Sequence, residues 1–271
     1  NFPDVIKNAI TNLDYRNNYQ NNIKCHDRLG KNSFCIFNEL TDNVGDIVLL
    51  GDSQTDAILS NFVEQISNTK FRLIHMSYSG NLYLPNFVKI DKKTKNIKND
   101  ESWHKYRTNF LNNQTHENTY IIIYGRYDGY FEKDLKINKN NQLVQEVGKS
   151  KILLLPRNKF NLDIEERKKL LKDKFYKTIQ GLSKEKKIIL LYPSPIAPEK
   201  IFYRILNNKN KIFKDENFYL NDIVNYSLKF HRKYFSEEIQ LLDSLNFKNT
   251  YKINLEEIFC PENQCFLYDN K

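Results

Sequence analysis

No apolar run in the 271-residue chain approaches the length of a membrane span, which excludes a membrane-crossing helix within it. It also has no internal repeat, so a solenoid or propeller is not expected. The balance of 42 Lys+Arg against 33 Asp+Glu gives a net charge of +9, but no nucleic-acid recognition motif accompanies it. The lysines are scattered through stretches such as "KIDKKTKNIKND" and "IEERKKLLKDK", among many Asn and Ile. That is a compositional bias and not a basic patch, and no nucleic-acid partner is expected. The opening "NFPDVIKNAI" has neither an initiator Met, a basic leader nor an apolar signal core. The expectation is a soluble piece cut from a longer chain.

The chain has only four cysteines, which fall into two local pairs, Cys25/Cys35 and Cys260/Cys265, each in a polar, loop-like stretch. Two disulfides, one zinc site and free thiols are the alternatives. Spacings of ten and five residues do not match the C-x₂₋₄-C knuckles of zinc sites. Disulfides formed in an oxidising compartment are therefore expected, with no metal.

The remaining sequence is long enough to bury one substantial core. The runs "IVLL" (47–50), "FRLIHM" (71–76), "YIIIY" (120–124) and "KIILLYP" (187–193) are strand-length and end at turn signals. They read as buried, parallel strands. Helical stripes lie between them, through Ile58, Leu59, Phe62, Val63 and Ile66, and through Leu170, Leu171, Phe175 and Ile179. A third helix is predicted over roughly 222–245, followed by a last strand at "TYKINL". This βαβα rhythm predicts an α/β three-layer sandwich with a mainly parallel central sheet, flavodoxin-like in its layering. Residues 133–160 break the rhythm and read as an inserted hairpin. We divide the chain into an N-terminal extension, 1–44, carrying the first cysteine pair, and one α/β domain, 45–271.

In such sheets ligands bind where strands end at their carboxyl side, and "DIVLLGDSQTDAIL" places Gly51, Asp52, Ser53 and Gln54 there. Gly51 permits a tight turn, Asp52 can hold it by local hydrogen bonding, and Ser53 starts the following helix. Taken alone, Gly-Asp-Ser is more often a helix cap than a nucleophile. Two further strand ends change the balance. "SYSG" brings Gly80 to the same edge after the second strand, and "GRYDGY" brings Gly125, Arg126, Tyr127 and Asp128 after the third.

With these residues in order, the chain resembles the SGNH hydrolase superfamily. That family carries a Gly-Asp-Ser after the first strand, a Gly after the second, a Gly-x-Asn-Asp after the third and an Asp-x-x-His near the end. Tyr127 stands where the hydrolases have Asn. An Arg-aromatic pair at that place is similar to the periplasmic SGNH domains fused to acyltransferase-3 membrane proteins, which O-acetylate surface polysaccharides. The cysteine pair before the Gly-Asp-Ser strand, the Pro-rich "LLYPSPIAP" and the late "CPENQC" agree with it, so the likeness spans about residues 20–271.

The resemblance implies a serine acyl-enzyme at Ser53, with the N–H groups of Ser53 and Gly80 as oxyanion hole. Asp52, Gln54, Gly125, Arg126, Tyr127 and Asp128 are the implied substrate-side residues. Arg126 either donates to the acyl group or glycan or braces the loop through Asp128. Tyr127 stacks on a sugar, donates its hydroxyl or packs on a neighbouring strand. The resemblance further implies a polysaccharide acceptor, an acyl donor supplied by a fused or partner membrane domain, a periplasmic site tethered to the inner membrane, and no cofactor. A carbohydrate esterase of the same fold and a non-catalytic glycan-binding module are the alternatives.

The general base is missing from this pattern. None of the five histidines, His26, His75, His104, His116 and His231, lies in an Asp-x-x-His sequence. The base and its aspartate are expected beyond Lys271.

Overall fold

A computed structural model describes residues 4–11, 25, 34–97, 102–137, 143–147, 152–156, 159, 161–196 and 226–265. The central sheet has six strands: β1 (Cys35–Phe37), β2 (Gly45–Gly51), β3 (Phe71–Ser77), β5 (Thr119–Tyr124), β9 (Lys187–Leu191) and β10 (Thr250–Ile253). Their order is β1-β3-β2-β5-β9-β10, and every neighbouring pair is parallel except β1 with β3. All residues of β2 and β5 are buried, on both faces of the sheet. Continuous burial of that kind requires cover on both sides, which makes the three-layer α/β sandwich expected from the sequence. Short β1, in the stretch read as an N-terminal extension, adds an antiparallel edge.

The connections are helical. After β2 come α2 (Ser53–Ala57) and α3 (Leu59–Ile66), whose Ile58, Leu59, Phe62 and Ile66 are buried as the apolar stripe predicts. α1 (Asp4–Thr11) packs on α3, and α4 (Ser102–Asn113) carries the chain from β3 across to β5. α6 (Ile164–Leu182) starts with a reciprocal capping box between Asp163 and Glu166 and buries Leu171, Phe175 and Ile179.

Two small sheets stand outside the central one. β6 (Lys133–Ile137) and β7 (Leu143–Val147) form the hairpin predicted for the insertion, while β8 (Ile152–Pro156) pairs instead with β4 (Phe87–Asp91). The predicted helix over 222–245 differs: residues 222–225 lie outside the described residues, and the rest is two helices, α7 (Leu228–Tyr234) and α8 (Ser236–Ser244). Ser227 starts α7 by accepting the N–H of Phe230, and the chain turns at Phe235, whose ring is buried. α9 (Glu256–Phe259) follows β10.

Both expected disulfides are present, Cys25–Cys35 and Cys260–Cys265. Such bridges suit a chain folded in an extracytoplasmic, oxidising compartment. No helix among the described residues is long and apolar enough to cross a membrane.

The amino end of the sheet is held by one carboxylate. Asp46, fully buried at the start of β2, accepts from Arg72 Nε and Nη2 at 2.8 and 3.1 Å and from the His116 N–H at 2.6 Å. His116 Nδ1 lies 2.9 Å from the same group. Burial pushes the Asp46 carboxyl up, but the bonds from Arg72 and His116 outweigh it and hold the group below its ordinary value. A depressed carboxylate contributes its full stability above the unfolded value of about 4 and loses it as pH falls through the folded value. Asp46→Asn is therefore expected to lower the melting temperature at neutral pH and to flatten its fall on acidification. An unchanged acid limb in thermal melts across pH would contradict this.

Candidate functional site

The strand order fixes where a ligand can enter. From β2 the chain moves outward to β3, then crosses back to β5 on the other side, so the direction of winding reverses between β2 and β5. A crevice opens at the carboxyl ends of the two strands flanking such a reversal. Gly51 of β2 sits level with Ser77 of β3 and Tyr124 of β5, so the segments that follow all leave the sheet at one edge. These carry Ser53, Gly80 and the 125–128 loop.

Gly51 is required by close approach. A Cβ there would lie 1.9 Å from the Tyr124 carbonyl oxygen and 2.2 Å from Thr55 Oγ1. Thr55 Oγ1 donates to that same carbonyl at 2.5 Å, stitching α2 to the end of β5.

Asp52 caps α2: its Oδ1 accepts the Gln54 N–H at 2.8 Å. The cap is thus the residue before the serine. Ser53 is exposed, and no hydrogen bond engages its hydroxyl among the described residues. The other Asp52 oxygen reaches across the crevice, accepting the Arg126 N–H at 2.8 Å and the Tyr130 hydroxyl. Asp52 is buried and therefore locks the serine turn to the loop after β5, with no face left for a substrate. Burial pushes its carboxyl above the ordinary range, against the bonds from Tyr130, Arg126 and Gln54.

The loop after β5 continues as the single turn α5 (Tyr127–Tyr130). Tyr127 turns inward: its hydroxyl donates to the Leu191 carbonyl at 3.1 Å and its ring meets Phe175 edge-on. Of the three roles open to Tyr127, packing against the neighbouring strand is the one this geometry shows. Arg126 pairs with buried Asp128 at 3.4 Å while remaining 51% exposed. The Asp128 charge raises the guanidinium pKa further, and burial raises that of Asp128 itself, against Arg126. Asp128 also accepts from the Tyr234 hydroxyl at 3.3 Å. Arg126 braces the loop and still faces solvent.

A small cleft beside this loop is lined by Gln54, Gly125, Arg126, Tyr127 and Asp128. Pro193, Ser194, Ile196 and Phe235 complete the lining. Sequence reasoning marked the Pro-rich turn but not its part in a wall, and it missed Phe235 and Tyr130. Only the position of "PSP" at a strand end could have signalled the first.

None of the described histidines makes a hydrogen bond to Ser53. His75 is buried in β3, with Nε2 3.4 Å from Asp56. His104 is buried, and burial pushes its imidazole down to about 3. His231 lies buried against Phe235, pushed down to about 4 by burial. His116 belongs to the Asp46 cluster, at the opposite end of β2 from Ser53. His26 lies outside the described residues. Among the described residues no group of His, Cys, Asp and Glu is arranged to hold a metal.

A family model described as "SGNH domain (fused to AT3 domains)" matches residues 24–271. The chain belongs to this SGNH family. Among solved structures, the fold of this SGNH domain is similar to that of the periplasmic domain of a lipopolysaccharide acetyltransferase from Salmonella ser. Paratyphi A. That likeness has a TM-score of 0.50 at 15% identity, covering 89% of this chain and 77% of the other. No curated protein matches the chain.

Proposed function

We propose that the domain is an O-acyltransferase that carries an acetyl or other small acyl group as an ester on Ser53 and passes it to a hydroxyl of a cell-surface polysaccharide. Acyltransferase or esterase chemistry is the class that the family supports. The observation carrying the finer reading is the Ser53 hydroxyl: exposed, uncommitted and freed from capping by Asp52, at the edge where Gly80 and the 125–128 loop also emerge.

The chemistry follows from that placement. A serine hydroxyl attacks an acyl carbonyl once an imidazole takes its proton, and the leaving group departs with a proton returned. The acyl-enzyme then yields to a sugar hydroxyl by the same steps in reverse. No described histidine is hydrogen-bonded to Ser53, and the reading takes its imidazole from outside the described residues. The oxyanion of each tetrahedral intermediate would be met by the N–H groups of Ser53 and Gly80. Arg126, half exposed beside the cleft, would meet donor or acceptor, and its exposure supports that role. The similarity to a lipopolysaccharide acetyltransferase periplasmic domain supports a glycan acceptor and a periplasmic site, with the donor delivered through a fused or partner membrane acyltransferase domain.

The test is made on the full-length polypeptide with an activated acetyl ester. A mass increase of one acetyl group on the peptide containing Ser53 is expected, discharged faster by added polysaccharide than by water. Discharge to water at the same rate with and without glycan would favour the esterase. Absence of any adduct would overturn the acyl-ester reading.

A further inference from the structure

The turn that presents Gly80 carries a built-in ambiguity. The Asn81 N–H donates to the Tyr78 carbonyl at 3.1 Å, closing a four-residue turn whose central peptide joins Ser79 to Gly80. Gly80 has φ +57° while Ser79 stays on the negative side, the signature of a type II turn. Types I and II differ by a flip of that central peptide, which reverses the direction of its N–H. Glycine, tolerating either sign of φ, leaves both orientations open. Something outside the turn must select one.

Lys89 occupies the selecting position. Its Nζ donates to the Ser79 carbonyl oxygen at 2.6 Å. The ammonium also lies over the Tyr78 ring, 5.5 Å from its centroid. Beyond its chain neighbours, a Cβ added to Gly80 would, among the described residues, lie within 4 Å of Lys89 Nζ and Cε, at 3.4 and 3.6 Å. In a trans peptide the N–H points opposite to the C=O, so pinning the carbonyl to Lys89 aims the Gly80 N–H away from it. A cation on the carbonyl also polarises the peptide and strengthens the N–H as a donor. Among the described residues no backbone acceptor uses that N–H.

The lysine is itself rigidly mounted. It sits in the middle of β4, paired in register with Leu154 of β8. Its neighbours Val88 and Ile90 are buried on the opposite face in a small cluster with Leu153 and Leu155. Phe87, on the face of Lys89, packs into the main core. The β4–β8 sheet, outside the central sheet and unexpected from the sequence, is thus the support that carries this ammonium to the turn.

We propose that Lys89 is a positioning residue for acyl transfer: it holds the Ser79–Gly80 peptide in the orientation that points the Gly80 N–H at the oxyanion forming on the Ser53 ester. This rests on the Ser53 reading above. In the flipped orientation the carbonyl of Ser79 would face the oxyanion and repel it.

The experiment measures single-turnover acylation of Ser53 by an activated acetyl ester in the full-length protein, for the wild type, Lys89→Met and Lys89→Arg. Loss of one oxyanion donor lowers kcat by about 100-fold or more, so a peptide left to flip is expected to cost about 10- to 100-fold. For Lys89→Met that loss falls on kcat with KM within about twofold, since ground-state contacts are untouched. Lys89→Arg, which keeps a cationic donor, is expected to recover most of it. A Lys89→Met protein acylated at the wild-type rate would overturn the inference while leaving Ser53 as nucleophile. So would a loss that tracks a lowered melting temperature and is not recovered by arginine, which would make Lys89 scaffold alone. A wild-type protein with no adduct on Ser53 would overturn both readings together.

Discussion

Ser53→Ala is expected to abolish acyl-adduct formation and to lower transfer by about 1000-fold or more, with the melting temperature unchanged within about 1 °C. The two halves of this expectation come from different atoms. The hydroxyl is exposed and engaged by no described partner, so its removal orphans nothing. The cap of α2 is the Asp52 carboxylate, which the substitution leaves in place, and alanine is the better helix former. A nucleophile, by contrast, has no substitute: without Oγ no ester can form, and what remains is the binding and oxyanion contribution of the site. Persistence of an acetyl adduct in Ser53→Ala would place the acyl group elsewhere and remove the basis of the proposed function. A large drop in stability would show that Ser53 holds the turn, as a serine at a helix start commonly does.

The four inner strands were legible because they are largely buried on both faces and therefore read as uninterrupted apolar runs. β2, β3, β5 and β9 all fall where such runs predict them, β9 ending two residues early at Leu191. Helix periodicity was less informative at 222–245, because the stripe through Phe230, Tyr234 and Ile239 continues across the turn at Phe235 without a Gly or Pro to mark it. "FVKID" alternates Val88 and Ile90 with Lys89, but its partner β8 lies about sixty residues later, so the pairing could not be read along the chain. The same distance problem limits the site. Glycines at strand ends located Ser53, Gly80 and the loop at 125, since those are local features. The partners of Asp52 lie 74 and 78 residues away, and the inward turn of Tyr127 depends on Leu191 and Phe175, so neither could be read along the chain.

Asp52 is where stability and chemistry should fail together, and Asp52→Asn separates it from its neighbour Ser53. The carboxylate accepts from three donors, the Gln54 N–H through one oxygen and the Arg126 N–H and Tyr130 hydroxyl through the other. An asparagine keeps one acceptor oxygen and puts an NH₂ donor at the second position. If its oxygen faces Gln54, the Tyr130 hydroxyl can turn to accept from the amide, but the Arg126 N–H meets another donor. If the amide is flipped, the loop after β5 keeps its acceptor and α2 loses its cap. Either way one partly buried N–H loses its partner, which costs about 1 kcal/mol. The charge matters to the pH dependence as well. Burial raises the Asp52 pKa, so between the unfolded value and the raised one the folded protein holds a proton that the unfolded chain has released. This group therefore weakens the fold as pH rises through that window and has no further effect above it. Asp52→Asn is expected to erase that slope, lower the melting temperature at neutral pH, and slow Ser53 acylation about tenfold or more, because the link from the serine turn to the 125–128 loop is cut on one side. Asp52→Ala, which removes every acceptor, should lose more on both counts. Wild-type acylation and stability in Asp52→Asn would mean that the bridge across the crevice does not set the position of Ser53.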